Sequence, residues 1–160
     1  MHYDLLDCTE RAQGKPTSII DRLLKFQDRK VLEYSMTLIN ALANECLGRS
    51  YVLQKANLVE NLVQILQDET GDTPLRQNCL GALQKFSLRR KPQTIMIQLD
   101  LIKWISSVLR NIDQLTEYSI EYATALLMNL SLREAGRDKC EAPDIQLLNV
   151  LNDLVEHENL

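Results

Sequence analysis

Turn-making residues are scarce in this chain. Five Gly and four Pro in 160 residues leave few reversals for a many-stranded sheet. Aromatics make up 5%, so leucine has to carry the core. No apolar run reaches the roughly 18–20 residues of a membrane span, so membrane insertion by a helix is not expected. Met1-His2-Tyr3-Asp4-Leu5-Leu6-Asp7 is acidic and lacks the basic-then-apolar order of a secretory signal. Cys8, Cys46, Cys79 and Cys140 include no CxxC pair, so neither a zinc site nor a small disulfide framework is expected. The chain reads as cytosolic, with reduced thiols. Its net charge of −4 argues against a nucleic-acid surface.

Catalytic equipment is equally thin. His2 and His157 lie at opposite ends without triad partners, and no glycine-rich phosphate loop occurs. Asp68 and Glu69 sit in a polar turn with no reason for a raised pKa. No catalytic residue, metal ligand, cofactor or small-molecule site is expected, and the chain is not expected to be an enzyme.

What the sequence does contain is helical periodicity and helix caps. Residues 1–16 form an expected lead-in, poorly packed, closed by Gly14-Lys15-Pro16. Thr17 or Ser18 caps a short helix with Asp21 in its first turn, and Asp28 opens a longer one to about Asn44 with Val31, Leu38 and Leu42 as its stripe. Gly48 is an expected break. Asn57 with Glu60 follows the logic of a capping box. Thr73-Pro74 is the clearest helix start, with Pro where its missing N–H costs nothing. That helix stops before Pro92; a short helix, Gln93 to Gln98, leads to Asp100, another expected cap. Thr116 caps the helix holding Asn129, whose apolar stripe is Ile120, Ala123, Leu127 and Leu130 and from which Asn129 lies well away. Gly136 and Pro143 flank an expected turn. Asp144 starts a last helix with Leu148, Leu151, Leu154 and Val155, whose apolar face no further repeat covers and which therefore invites association.

The order short, medium, long helix recurs. Aligning Ile20, Val59, Ile102 and Leu148 gives offsets of 39, 43 and 46 residues. Aligning Ala41-Leu42, Ala82-Leu83 and Leu126-Leu127 gives 41 and 44, with Leu47, Leu88 and Leu132 in the same register. Three helices per period near 40 predict an all-α, right-handed armadillo-type α-solenoid of about three to four repeats. The expected divisions are a lead-in at 1–16, repeats at 17–57, 58–100 and 101–143, and a partial repeat at 144–160.

Three runs carry a closer likeness: Thr37-Leu38-Ile39-Asn40-Ala41-Leu42-Ala43 followed by Leu47-Gly48-Arg49-Ser50-Tyr51; Arg76 to Arg90 (RQNCLGALQKFSLRR); and Glu121 to Leu130 (EYATALLMNL). Over roughly residues 17 to 160 the chain resembles the LisH domain-containing armadillo-repeat proteins of centrioles and cilia. The resemblance implies a non-enzymatic scaffold of centrioles, basal bodies and cilia, supporting cilium assembly and Hedgehog (Smoothened) signalling. Its implied locations are cytoplasm, cytoskeleton, centriole, basal body and cilium. The implied partners are other proteins, centriolar, ciliary or microtubule-associated; nucleic acid is not among them. No LisH motif or coiled coil precedes the repeats, so the chain reads as a fragment or short isoform whose C-terminal cap is missing. The alternatives are an armadillo adaptor in nuclear transport or cell junctions and, more distantly, an uncharacterised hydrolase.

In armadillo domains the third helices line a concave groove, where an Asn on each can bond the backbone of an extended peptide, flanked by Trp one turn earlier. The resemblance puts Asn44, Lys85 and Asn129 at those groove positions, with Asn40, Gly81 and Ala125 one turn earlier. No Trp stands there, so the ladder that grips basic nuclear-import signals is not reproduced; the same residues also read as solvated polar positions. Arg89, Arg90 and Lys91 form the one basic patch, either a solvated helix end favoured by the C-terminal dipole or a site for an acidic partner segment. Trp104 is expected to pack at a repeat interface, Cys79 to be packed and inert, and Tyr118 and Tyr122 either to edge the groove or to be partly buried between helices.

Overall fold

The computed structural model of the chain describes residues 4–8 and 18–156, and every regular element among them is helical. His2, Thr17, His157 and most of the expected lead-in fall outside the described residues. α1 (Ile19–Leu24) starts at Ser18, whose hydroxyl accepts the Asp21 N–H while the Asp21 carboxylate accepts the Ser18 N–H. Such reciprocal caps satisfy two donors that the first turn leaves open, and a cap is worth about 1 kcal/mol. α2 (Arg29–Asn44) opens under Asp28, which accepts from the N–H groups of Lys30 and Val31. α5 (Pro74–Phe86) opens under Thr73 with Pro at its first position, and α8 (Glu117–Ser131) opens under Thr116.

The shorter helices are α3 (Cys46–Val52), α4 (Leu58–Asp68), α6 (Arg90–Gln98), α7 (Leu101–Leu109), α9 (Glu134–Cys140) and α10 (Leu147–Glu156), with a 3-10 turn at Ile112–Gln114. Asn57 and Asp100 precede α4 and α7, but neither side chain caps its helix. Both residues, and Gln146 before α10, adopt left-handed backbone (φ 60°, 53° and 49°), reversing the chain in the fewest residues. Asn and Asp tolerate that region better than most side chains. The expected capping roles are thus replaced by a repeated tight turn. Asp144 likewise starts no helix; it pairs with Lys103 at 2.6 Å.

Neither Gly48 nor Gly136 breaks a helix. Each lies inside a short helix, where a Cβ would stand 2.3 Å from the Leu42 carbonyl oxygen or 2.0 Å from that of Leu130. These glycines let α3 and α9 meet the ends of α2 and α8 backbone to backbone. The residues opening α3, α6 and α9, namely Glu45, Arg89 and Arg133, are therefore equivalent, 44 residues apart each time. This register corrects the first long-helix alignment by one turn: Leu42 matches Phe86 and Leu130, and Leu47 is not the counterpart of Leu88. The stripe of α2 is corrected with it. Met36, Ile39 and Ala43 are buried, whereas Leu38 is exposed and Val31 and Leu42 are half-buried.

The long helices lie side by side, α2 on α5 and α5 on α8, while α4 packs against α5 and α7 against α8. The stripes Leu58, Val59, Leu62, Val63 and Leu66 of α4 and Leu101, Ile102, Ile105 and Leu109 of α7 are all buried between them. Stacked units of this kind, each covering its neighbour's apolar face, make an α-solenoid.

Polar ties cross between units. The Asp72 carboxylate accepts the Thr116 N–H at 2.6 Å and the Ser119 hydroxyl at 2.5 Å, fastening the start of α8 to the turn before α5. Burial opposes its ionisation, but the bonds from Ser119, Thr116 and Gln77 outweigh burial and hold this carboxyl below the ordinary aspartate value. At the other end, residues 4–8 are not the loose lead-in expected. The Tyr51 hydroxyl donates to Asp4 at 2.7 Å and accepts the Leu6 N–H at 2.8 Å, and Cys8 is buried, its thiol pushed up to about 11 by desolvation.

Two outcomes follow from these contacts. Gly136→Ala, forced against backbone, should lower unfolding stability by about 1–3 kcal/mol in urea titration; an unchanged midpoint would show that the junction yields freely. Asp72→Ala should cost about 1–2 kcal/mol near neutral pH. Because the folded pKa lies below the unfolded one, that contribution is complete above the unfolded value of about 3.9 and fades as pH falls through the folded one. Denaturation curves of the two proteins should therefore converge in acid, and a difference persisting there would count against the assignment.

Candidate partner-binding face

Across α2, α5 and α8 one polar and aromatic cluster is assembled from residues as far as 82 positions apart. Asn40 on α2 donates its amide to Asn78 Oδ1 at 3.0 Å and lies 3.4 Å from the Tyr118 hydroxyl. Lys85 on α5 reaches back to Asn40 Oδ1 at 2.6 Å, and its ammonium stands 5.7 Å from the centre of the Tyr122 ring. Tyr118 and Tyr122, one turn apart on α8, stack with centroids 4.2 Å apart. Gly81 makes this possible: a Cβ there would lie 2.3 Å from the Tyr118 hydroxyl and 3.0 Å from Asn40 Oδ1. A mid-helix glycine costs roughly 0.5–1 kcal/mol relative to alanine, and here it makes room for the tyrosine.

The electrostatics of the cluster are uneven. Burial lowers the Lys85 pKa, with no neighbouring charge contributing, and among the described residues no carboxylate pairs with it. Burial also raises the Tyr118 pKa. The cluster thus holds one half-buried cation, amides and two ring faces, groups able to bind a peptide's carboxylates, carbonyls and apolar side chains. Among the described residues no three His, Cys, Asp or Glu side chains gather in a way that could hold a metal ion, and no helix is long and apolar enough to cross a membrane.

The residues singled out in the sequence therefore separate. Asn40 and Lys85 are brought together. Asn44 is exposed at the end of α2, and the junction register pairs it with Leu88 and Leu132, not with Asn129. Asn129 corrects the expectation most clearly. It is 6% exposed, its side-chain amide donates to the Ser87 hydroxyl at 2.8 Å, and its backbone carbonyl accepts from the Gln93 side-chain amide at 3.1 Å. α8 is flanked by α5 on one side and by α7 and α9 on others, so a position off its main stripe is still covered. Ala125, expected one turn earlier, is half-buried on the same helix.

Arg89, Arg90 and Lys91 are exposed, but at the start of α6 and not at a helix end, so the helix dipole opposes them. Arg89 and Lys91 line a cleft of about 470 Å³ with Lys55 and Asn57, separate from the α2–α5–α8 cluster. Trp104 is half-buried with the Arg76 guanidinium 5.0 Å above its ring, and Cys79 is fully buried, its thiol raised by desolvation. Asn78 and the linkage of Gly81 to Tyr118 escaped the sequence reading. An isolated glycine inside a strong helical pattern was the available signal.

Asn129→Ala should act on stability, costing about 1–2 kcal/mol through the lost bond, and leave partner capture by the folded protein unchanged; the reverse result in a denaturation and capture pair would return Asn129 to the binding face.

Comparison with known proteins agrees with this architecture. A family model described as the ARM repeats of LisH domain-containing protein ARMC9 matches residues 96–160. Proteins named LisH domain-containing protein ARMC9 from Bos taurus and Homo sapiens are each 45% identical over 156 residues, and that from Danio rerio is 40% identical over 153. These matches take in 98%, 98% and 96% of this chain but 23%, 19% and 19% of the relatives, so the chain spans about a fifth of their length. By its stacked helices the chain is an α-solenoid, and by these matches it is similar to LisH domain-containing protein ARMC9, over residues 96–160 to that protein's ARM repeats.

Proposed function

We propose that this chain is a non-enzymatic interaction scaffold that receives partner proteins on the face formed by α2, α5 and α8. The observation that carries the proposal is Lys85: a half-buried ammonium with no carboxylate partner among the described residues, held by Asn40 beside two stacked tyrosines. A charge kept partly desolvated and unpaired is a cost to the isolated fold, and an acidic or carbonyl-bearing partner removes that cost. In armadillo domains this face is the concave groove. Asn40 and Lys85 form its working centre and Asn44 its rim, and Asn129 serves the scaffold behind it. Each repeat, with divisions near 57, 100 and 143, contributes one long helix to the surface.

The setting proposed is the cytoplasm and cytoskeleton, at the centriole, basal body and cilium, in support of cilium assembly and Hedgehog signalling through Smoothened. Centriolar, ciliary and microtubule-associated proteins are the proposed partners. The support is the likeness of the repeats to those of LisH domain-containing protein ARMC9.

The test is capture from extracts of ciliated cells, with wild-type chain and Lys85→Met as bait, read by quantitative mass spectrometry. Lys85→Met should hold its thermal midpoint, because the burden of the buried charge leaves with the lost hydrogen bond, yet should lose at least tenfold in ciliary proteins captured. Equal capture by both baits would overturn the proposed face; capture of an unrelated set that depends on Lys85 would overturn the ciliary setting alone.

A further inference from the structure

The three equivalent junctions differ sharply in charge. After Glu45 come Cys46 and Leu47, after Arg133 come Glu134 and Ala135, but after Arg89 come Arg90 and Lys91. The solenoid therefore needs no basic junction, since it makes the same turn with an apolar pair and with an acidic residue. For α6 itself the arrangement is adverse. Cations at a helix start face the positive end of its dipole, and the Arg89 side chain does not cap the helix.

No anion in the described fold offsets this. Lys55, Lys103 and Lys139 pair with Asp21, Asp144 and Asp100, whereas among the described residues no carboxylate pairs with Arg89 or Lys91. The Arg89 guanidinium lies 3.4 Å from the Cys46 sulfur and 3.5 Å from the Ser50 hydroxyl, contacts that use one nitrogen of a group rich in donors.

Both cations border the cleft of about 470 Å³ bounded by the turn after α3, the first turn of α4, and α6. Lys55 adds a third cation to its lining, and Glu60 is the one carboxylate among the lining residues. Leu53 and Ile95, both half-buried, give it an apolar side. α4 packs on α5 and α6, and α6 also packs on α7, α8 and α9. Both walls are thus held by neighbours, and the opening between them belongs to the junction.

We propose that this cleft binds a short acidic segment of a partner protein, with carboxylates on Arg89 and Lys91 and an apolar side chain against Leu53 and Ile95. The planar fork of Arg89 suits two-point contact with a carboxylate, and Lys91 supplies a point charge on a flexible stem. Such a segment relieves the repulsion at the start of α6 and covers the apolar side as well; a bare anion does only the first. The site shares no residue with the Lys85 cluster and stands whether or not that face receives partners.

The test uses the full 160-residue chain and, as probe, the capped peptide Glu-Glu-Leu-Glu-Glu-Leu-Glu-Glu, followed by fluorescence anisotropy. Binding should saturate, and Arg89→Glu or Lys91→Glu should weaken it at least tenfold. Lys25→Glu, exposed at the end of α1, should leave it unchanged, and serine in place of both peptide leucines should weaken it. Because an acidic residue suits a helix start, the thermal midpoint of Lys91→Glu should hold or rise while binding is lost. No saturable binding, equal weakening by Lys25→Glu, or a serine peptide that binds as tightly overturns the proposal. So does a lowered midpoint in Lys91→Glu, which makes the cation a support of the fold. Arg89-dependent binding of phosphatidylserine vesicles without binding of the peptide also overturns it, since the ligand is then a membrane surface.

Discussion

The fold rests on one packing arrangement, a long helix laid across the apolar stripe of the shorter helix before it. Five residues of α4 and the matching stripe of α7 reach water only if α5 or α8 lifts away. Each fully buried aliphatic side chain of this kind contributes about 1.5–3 kcal/mol, so these stripes outweigh any single polar contact in the chain. The arrangement is repeated because the junctions are: Gly48 and Gly136 allow backbone to approach backbone where each long helix ends, and Pro92 stands at the corresponding position between them. Left-handed turns before α4, α7 and α10 then return the chain in the same direction. Short-range geometry fixes the relation between neighbours, and neighbours fix the solenoid.

The same stacking builds the proposed binding face. No single helix holds more than two of the residues around Lys85 apart from α5, and apart from the Tyr118–Tyr122 stack within α8 their contacts form only when α2, α5 and α8 lie side by side. A polar cluster distributed over successive repeats is sensitive to their spacing, which the Asp72 bonds to α8 and the Asn129–Ser87 bond hold. Stability and the proposed recognition therefore use different polar residues of the same helices. Asn129 and Asp72 use their hydrogen bonds inside the fold, while Lys85 has no carboxylate beside it among the described residues.

Sequence reading succeeded where the physics is local. Ser18, Asp28, Thr73 and Thr116 cap helices as their types predict, because a cap bond spans three residues. It went astray where one residue type suits two local roles. Asn57 and Asp100 look like caps but occupy left-handed turns, a conformation the same side chains also tolerate. Glycine misled in a similar way, since Gly48 and Gly136 signal a close approach and not an end. The first repeat was misaligned by one turn because an Ala-Leu pair recurs at several helical positions, whereas the junction contacts do not. Asn129 was the largest miss, and its cause is long-range: Ser87 lies 42 residues away, and nothing near Asn129 in sequence announces it.

The central claim is that partners meet this protein on the face where Tyr122 lies beside Lys85. The most direct measurement is site-specific photo-crosslinking, with a photo-reactive phenylalanine analogue in place of Tyr122 and, separately, in place of Trp104 on α7. Partners captured from ciliated cells should crosslink from position 122 and not from 104. Crosslinks from 104 alone would contradict the account and move the binding surface away from α2, α5 and α8.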